Sequence, residues 1–114
     1  MIAKLAVAAP ALLSMATAPM LFSERQGFAG IHTAHLEFSE FNGCWLEFAP
    51  SAYERYRRLV PQSFDLQRVR IAFIGRGTAR LRGFKRGSGY GHMGMYPCQI
   101  EVLELRSAAP LPPR

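Results

Sequence analysis

The sequence predicts a mainly β domain, a small five-stranded barrel with one short α-helix, preceded by an N-terminal signal segment. Three observations lead there. Several short runs alternate apolar and polar residues, the period of half-buried strands. One stretch, 50–60, shows helical spacing in their place. The runs are short, sequential and divided by turn residues, so a sheet closed on itself hides its edges best. The 114 residues allow one domain. Apolar residues make up 49%, with 8 Phe, 4 Tyr and 1 Trp, a globular composition that excludes a disordered chain.

The N-terminus reads as a targeting segment over 1–21. Lys4 supplies a short positive region, 5–15 an apolar core and Ala16-Thr17-Ala18 a small-x-small cleavage site. This predicts an exported, periplasmic protein. Pro19 is unfavourable just after the cut, so the alternative is an uncleaved anchor in the inner membrane. Residues 22–30 carry two glycines and no periodicity, and read as a linker.

The domain is expected over 31–106. In the first strand, 31–41, Ala34, Leu36 and Phe38 share one face while His35, Glu37 and Ser39 share the other. Asn42-Gly43 is the strongest hairpin signal, and 44–48 (CWLEF) follows as a second strand. Pro50 and Ser51 open a helix, with Glu54 completing a capping box. Tyr53, Tyr56, Leu59 and Val60 recur on its core side, Arg55, Arg57 and Arg58 point outward, and Pro61 ends it. In 66–75 the alternation buries Val69, Ile71 and Phe73 and exposes Arg68 and Arg70. A short basic strand is expected over 78–84, a glycine turn over 85–94 and the last strand over 99–105. The proline-rich end, 107–114, reads as a disordered tail.

Cys44 and Cys98 are the only cysteines. In an exported chain an even count favours a disulfide, here tying the first hairpin to the last strand. Loop-closure entropy makes such a bridge worth roughly 4 kcal/mol. The alternative is two free thiols.

Charge is unevenly spread along a chain of net charge +6. Residues 66–100 contain no carboxylate but hold Arg68, Arg70, Arg76, Arg80, Arg82, Lys85 and Arg86. With Phe84, Tyr90 and Tyr96 interleaved, this resembles the charge-plus-stacking recipe for an anionic polymer. Export favours an envelope lipid, glycan or protein as partner over nucleic acid. Membrane contact is expected only if the N-terminal segment stays uncleaved. The bland alternative is cross-strand pairing with Glu37, Glu40 and Glu47.

The remaining candidates carry little chemistry. His32 and His35 are three apart on a strand and so face opposite ways, a poor metal pair. His92, beside Tyr90, is expected to satisfy backbone groups in the glycine turn, with a ligand role as the alternative. Gly87, Gly89, Gly91 and Gly94 lack phosphate-loop spacing and precede a strand, so no nucleotide, metal or other cofactor is expected. Asp65 is the only aspartate, and neither GxSxG nor HExxH occurs. The expected role is therefore a binding or scaffold domain of the envelope and not an enzyme. The alternatives are a polyanion binder working through the arginines and a small hydrolase or metal binder using His92.

Several segments also carry a family resemblance. They are Leu36-Glu37-Phe38-Ser39-Glu40-Phe41, Cys44-Trp45, Val69-Arg70-Ile71, the YGHMGMY turn from Tyr90 to Tyr96, and Glu101-Val102-Leu103. In that order they resemble a group of small exported bacterial proteins of OB-like fold with a YGHxGxY turn before the last strand. The resemblance spans roughly 34–105 and implies export and a barrel, but no reaction. Cys98 departs from the pattern. So does the helix, which the reading above puts between the second and third strands; an OB fold has it between the third and fourth.

Overall fold

A computed structural model describes residues 24–35, 37–78 and 81–113. The expected signal segment lies outside them. Five strands form a closed barrel: β1 (Gln26–His35), β2 (Phe38–Phe41), β3 (Cys44–Phe48), β4 (Gln67–Gly77) and β5 (Gln99–Pro110). Their spatial order is β1-β2-β3-β5-β4, with β4 closing back on β1. All contacts are antiparallel except β3 with β5. One helix, α1 (Pro50–Leu59), joins β3 to β4.

This is the OB-like barrel, and the helix sits where that fold has it. The expected helix position, between the second and third strands, is corrected because 31–41 is not one strand. The chain breaks after His35 and resumes at Phe38, so one strand becomes two. The break also shifts the phase. Before it, Phe28 and His32 point inward; after it, Phe41 is buried and Ser39 reaches inward to His32. The reading that put Ser39 outward with His35 and Glu37 fails for that reason. Asn42 and Gly43 both take positive φ, 53° and 81°, as a two-residue hairpin turn of the primed type requires.

The linker reading of 22–30 is also corrected. From Gln26 onward the segment is strand, paired with β4 from Gln26↔Gly75 to Ala34↔Gln67. Glycines concealed its alternation. At Gly30 the missing side chain admits the Phe41 ring, which would lie 3.1 Å from a Cβ. At the other end, 107–110 are not a disordered tail. They continue β5 against β4 as far as Val69↔Pro110, and the Leu111 amide donates to Arg68 O at 2.8 Å. Two register shifts bend β5 along the way. They explain why its buried residues run Ile100, Val102 and then Leu105.

The helix begins earlier than a capping box would allow. Ala49 donates its amide to Val102 O at 2.9 Å, extending the β3–β5 contact by one residue. The chain turns there, and Pro50 starts the helix with no side-chain cap. Ser51 is thus inside the first turn and Glu54 beyond it. Ala52, Tyr56 and Val60 are buried, whereas Tyr53 and Leu59 are exposed. Arg55 ties the helix to β5 through the carbonyls of Leu105 (2.9 Å) and Arg106 (3.1 Å). The expected strand at 78–84 is absent among the described residues, which form loop and turn.

Inside the barrel, Phe28 stacks on Phe73 and Phe41 meets both edge-on, at centroid distances of 5.1–6.2 Å, beside Val69, Ile71, Ile100 and Val102. Cys44 and Cys98 form a buried disulfide with a Cα–Cα distance of 4.7 Å. It sits one residue before the Trp45↔Gln99 pair, where the β3–β5 ladder starts.

Candidate functional site

A half-open cleft of about 500 Å³ lies between the β1–β2 turn, β3, α1 and the loop leading to β4. Its walls are largely aromatic: Phe38, Trp45, Phe48, Tyr53 and Tyr56. Phe48 packs against Tyr56 at 4.7 Å and Tyr53 at 6.1 Å, so α1 and β3 share one continuous apolar surface. A mostly apolar cleft with a few converging polar groups is the usual form of a small-molecule site.

The polar floor is a chain of directed hydrogen bonds. Ser39 Oγ lies 2.7 Å from Leu46 O, an acceptor, so the serine must donate there. Its oxygen then accepts from His32 Nε2 at 2.8 Å. That leaves Nδ1 unprotonated, to accept from the Tyr56 hydroxyl at 2.9 Å. Every member is satisfied, and among the described residues no buried side-chain N or O lacks a partner. Burial lowers the His32 pKa from 6.5 to about 4. Burial, with the neighbouring Tyr53 second, raises that of Tyr56 to about 12. Both are neutral at pH 7. In this arrangement the histidine donates to the serine and does not take its proton, the reverse of an activated nucleophile.

Rim charges are distinguishable by what they touch. Glu47 accepts from the Trp45 indole N–H. Arg57 lies over the Tyr53 ring, 5.9 Å from its centroid. Arg58 pairs with Glu54 one turn earlier, and Arg55 is committed to β5. Among the described residues Arg57 has no ion pair, and it is the one arginine or lysine lining the cleft.

The seven basic residues singled out in the sequence do not form one face. Arg68, Arg70 and Arg76 all point outward from β4, but Arg70 and Arg76 are six residues apart, roughly 20 Å along a strand. Arg76 is paired with Glu101 at 3.7 Å. Arg82, Lys85 and Arg86 are exposed in the β4–β5 loop, beyond the far end of β4 from Arg68. Arg80 lies outside the described residues.

That loop folds over the outer side of β3. Gly91 presses its backbone onto Trp45, where a Cβ would come within 2.4 Å of the indole, and its φ is +73°. Tyr96 lies 5.5 Å from the same indole. Its pKa is raised by burial and by the nearby Glu40 carboxylate. Tyr90 and Tyr96 exchange backbone hydrogen bonds, and Gly94 O accepts from the amides of Gly87 and Gly89. His92 is half-exposed, and its side chain lies 3.6 Å from the Glu37 carboxylate in the β1–β2 turn. The expectation that its ring would satisfy backbone groups is therefore corrected: the turn's own amides do that. Among the described residues no three His, Cys, Asp or Glu side chains are placed to hold a metal ion.

The cleft residues His32, Ser39, Phe48 and Arg57 were not legible as a group. Alternation through 31–41 puts Ser39 on the wrong face, and in sequence Arg57 is indistinguishable from Arg55 and Arg58. The usable signal was the surplus of aromatics in 38–56 over what one barrel interior can hold. No family model, curated protein or solved structure matches the chain.

Proposed function

We propose that the chain is an exported binding domain of the cell envelope whose ligand seat is the aromatic cleft between β3 and α1. One observation carries this reading: five aromatic side chains line an accessible cleft over a floor whose polar groups are already satisfied. Such a floor can rest against an apolar ligand without leaving a buried polar group unpaired. The signal-like N-terminus and the buried Cys44–Cys98 bridge support an oxidising compartment. Replacing Ala34 in the cleft wall by Phe tests the seat. Native mass spectrometry of protein released from the envelope is expected to find a retained small molecule on the wild type and none on the A34F variant. Full-length protein confined to the cytosol overturns the export part.

A second reading is a polyanion binder. It is supported by Arg82, Lys85 and Arg86, exposed on one loop without an ion pair among the described residues. The expected result is that affinity for an anionic polymer falls steeply with salt and falls again when the three are replaced by alanine. Unchanged affinity in that variant overturns it.

A further inference from the structure

We infer that the cleft takes an amphipathic anion, an apolar body of ring or short-chain size carrying one negatively charged head that Arg57 receives. The inference rests on the cleft being a ligand seat and adds the class of ligand. Three observations carry it.

First, the three arginines of α1 are not equivalent. Arg55 donates to the Leu105 and Arg106 carbonyls and Arg58 sits 3.9 Å from Glu54. Arg57 alone lines the cleft, and it lies over an aromatic face. Its guanidinium carbon lies 5.9 Å from the Tyr53 centroid and no ion pair among the described residues engages it, so its N–H groups are free to donate two hydrogen bonds to a carboxylate, sulfonate or phosphate.

Second, the cleft leaves one charged group without a polar partner among the described residues. Its one carboxylate, Glu47, is already engaged by the Trp45 indole. His32 is neutral and shut into the floor. Glu47 keeps its charge, but the group with hydrogen-bonding capacity left over is the exposed Arg57 guanidinium.

Third, the interior matches an apolar body. Phe48, Tyr53 and Tyr56 make a continuous wall, and the volume of about 500 Å³ is that of a small-ligand site. A ligand seated there would bury its apolar part against rings while its head stays in reach of solvent at Arg57.

Two dyes of nearly the same aromatic body separate the head from the body: 1-anilinonaphthalene-8-sulfonate, which is anionic, and N-phenyl-1-naphthylamine, which is neutral. Binding to the folded, disulfide-bonded protein is read from dye emission and from energy transfer out of Trp45, the single tryptophan, which lines the cleft. The expected result is that the sulfonate binds about tenfold more tightly than the neutral dye, and that Arg57→Ala removes this preference without weakening the neutral dye. Arg58→Ala, which deletes the same charge from the same helix outside the cleft, is expected to leave the preference in place. Decanoate is expected to displace the sulfonate dye, and decyltrimethylammonium is not. Equal binding of the two dyes, or equal effects of the two arginine variants, overturns the anionic head and leaves the cleft reading intact. Failure of both dyes to bind overturns the cleft reading and this inference together.

Discussion

Ser39 is the residue on which the floor of the cleft depends, because it both accepts from His32 and donates to Leu46 O. Ser39→Ala leaves two buried groups without partners and is expected to cost about 2–3 kcal/mol in urea unfolding. Tyr56→Phe removes only the partner of Nδ1 and is expected to cost about 1 kcal/mol, so the order of the two variants tests how many partners each hydroxyl serves. The buried neutral histidine also sets a pH dependence. Its folded-state pKa, about 4, is below the unfolded 6.5, so the unfolded chain binds more protons between those values. The stabilisation is complete above pH 6.5 and is lost as pH falls toward 4, an effect on the order of 3 kcal/mol. Denaturant midpoints measured across that window should fall with acid in the wild type. In His32→Phe that component of the slope should vanish.

The β4–β5 loop illustrates what a glycine-rich turn does here. Its backbone covers Trp45, and Gly91 makes the closest approach at a positive φ. Gly91→Ala would force a methyl into the indole and strain the backbone, with an expected loss of about 2 kcal/mol or more. Gly27→Ala, in β1 with open space around it and ordinary φ, serves as the contrast and should change stability by less than about 0.5 kcal/mol. Equal effects at the two positions would remove the covering role assigned to the turn. The end of β5 is tested by truncation. Ending the chain at Leu111 keeps the pairs from Ala72↔Ser107 to Val69↔Pro110 and should leave the thermal midpoint unchanged. Ending it at Arg106 removes those pairs and should lower the midpoint by several degrees.

Across the barrel, the Cys44–Cys98 bridge joins the parallel β3–β5 pair, whose partners are far apart in sequence. Loop closure of that length is slow to gain back through contacts, so the bridge acts where the chain most needs constraint. The double variant Cys44→Ala/Cys98→Ala is expected to lose about 4 kcal/mol by equilibrium unfolding. A loss below about 1 kcal/mol would mean that the barrel closes without it. The basic surface has no such unity. β4 spaces Arg68 and Arg70 away from the loop cations, and Glu101 takes Arg76. Net charge thus described the chain well and its surface poorly.

Much of the barrel could be read from residues alone, and the reason is local. Each strand faces one interior, so Val69, Ile71 and Phe73 declare their face by alternation, and Asn42-Gly43 declares its turn by backbone conformation. The two cysteines declared a pairing because there was no third. What remained depended on contacts between distant segments. The break after His35 changes which residues face inward without changing the local pattern, and only β4 and β3 on either side select that phase. The helix starts at Pro50 because Val102 captures the Ala49 amide. Residues 107–110 are strand because β4 waits beside them. Arg57 differs from Arg55 and Arg58 only through what the folded chain places next to each. Alternation is a property of one segment and its solvent, whereas register, cap and cleft are properties of pairs that meet only in the folded barrel.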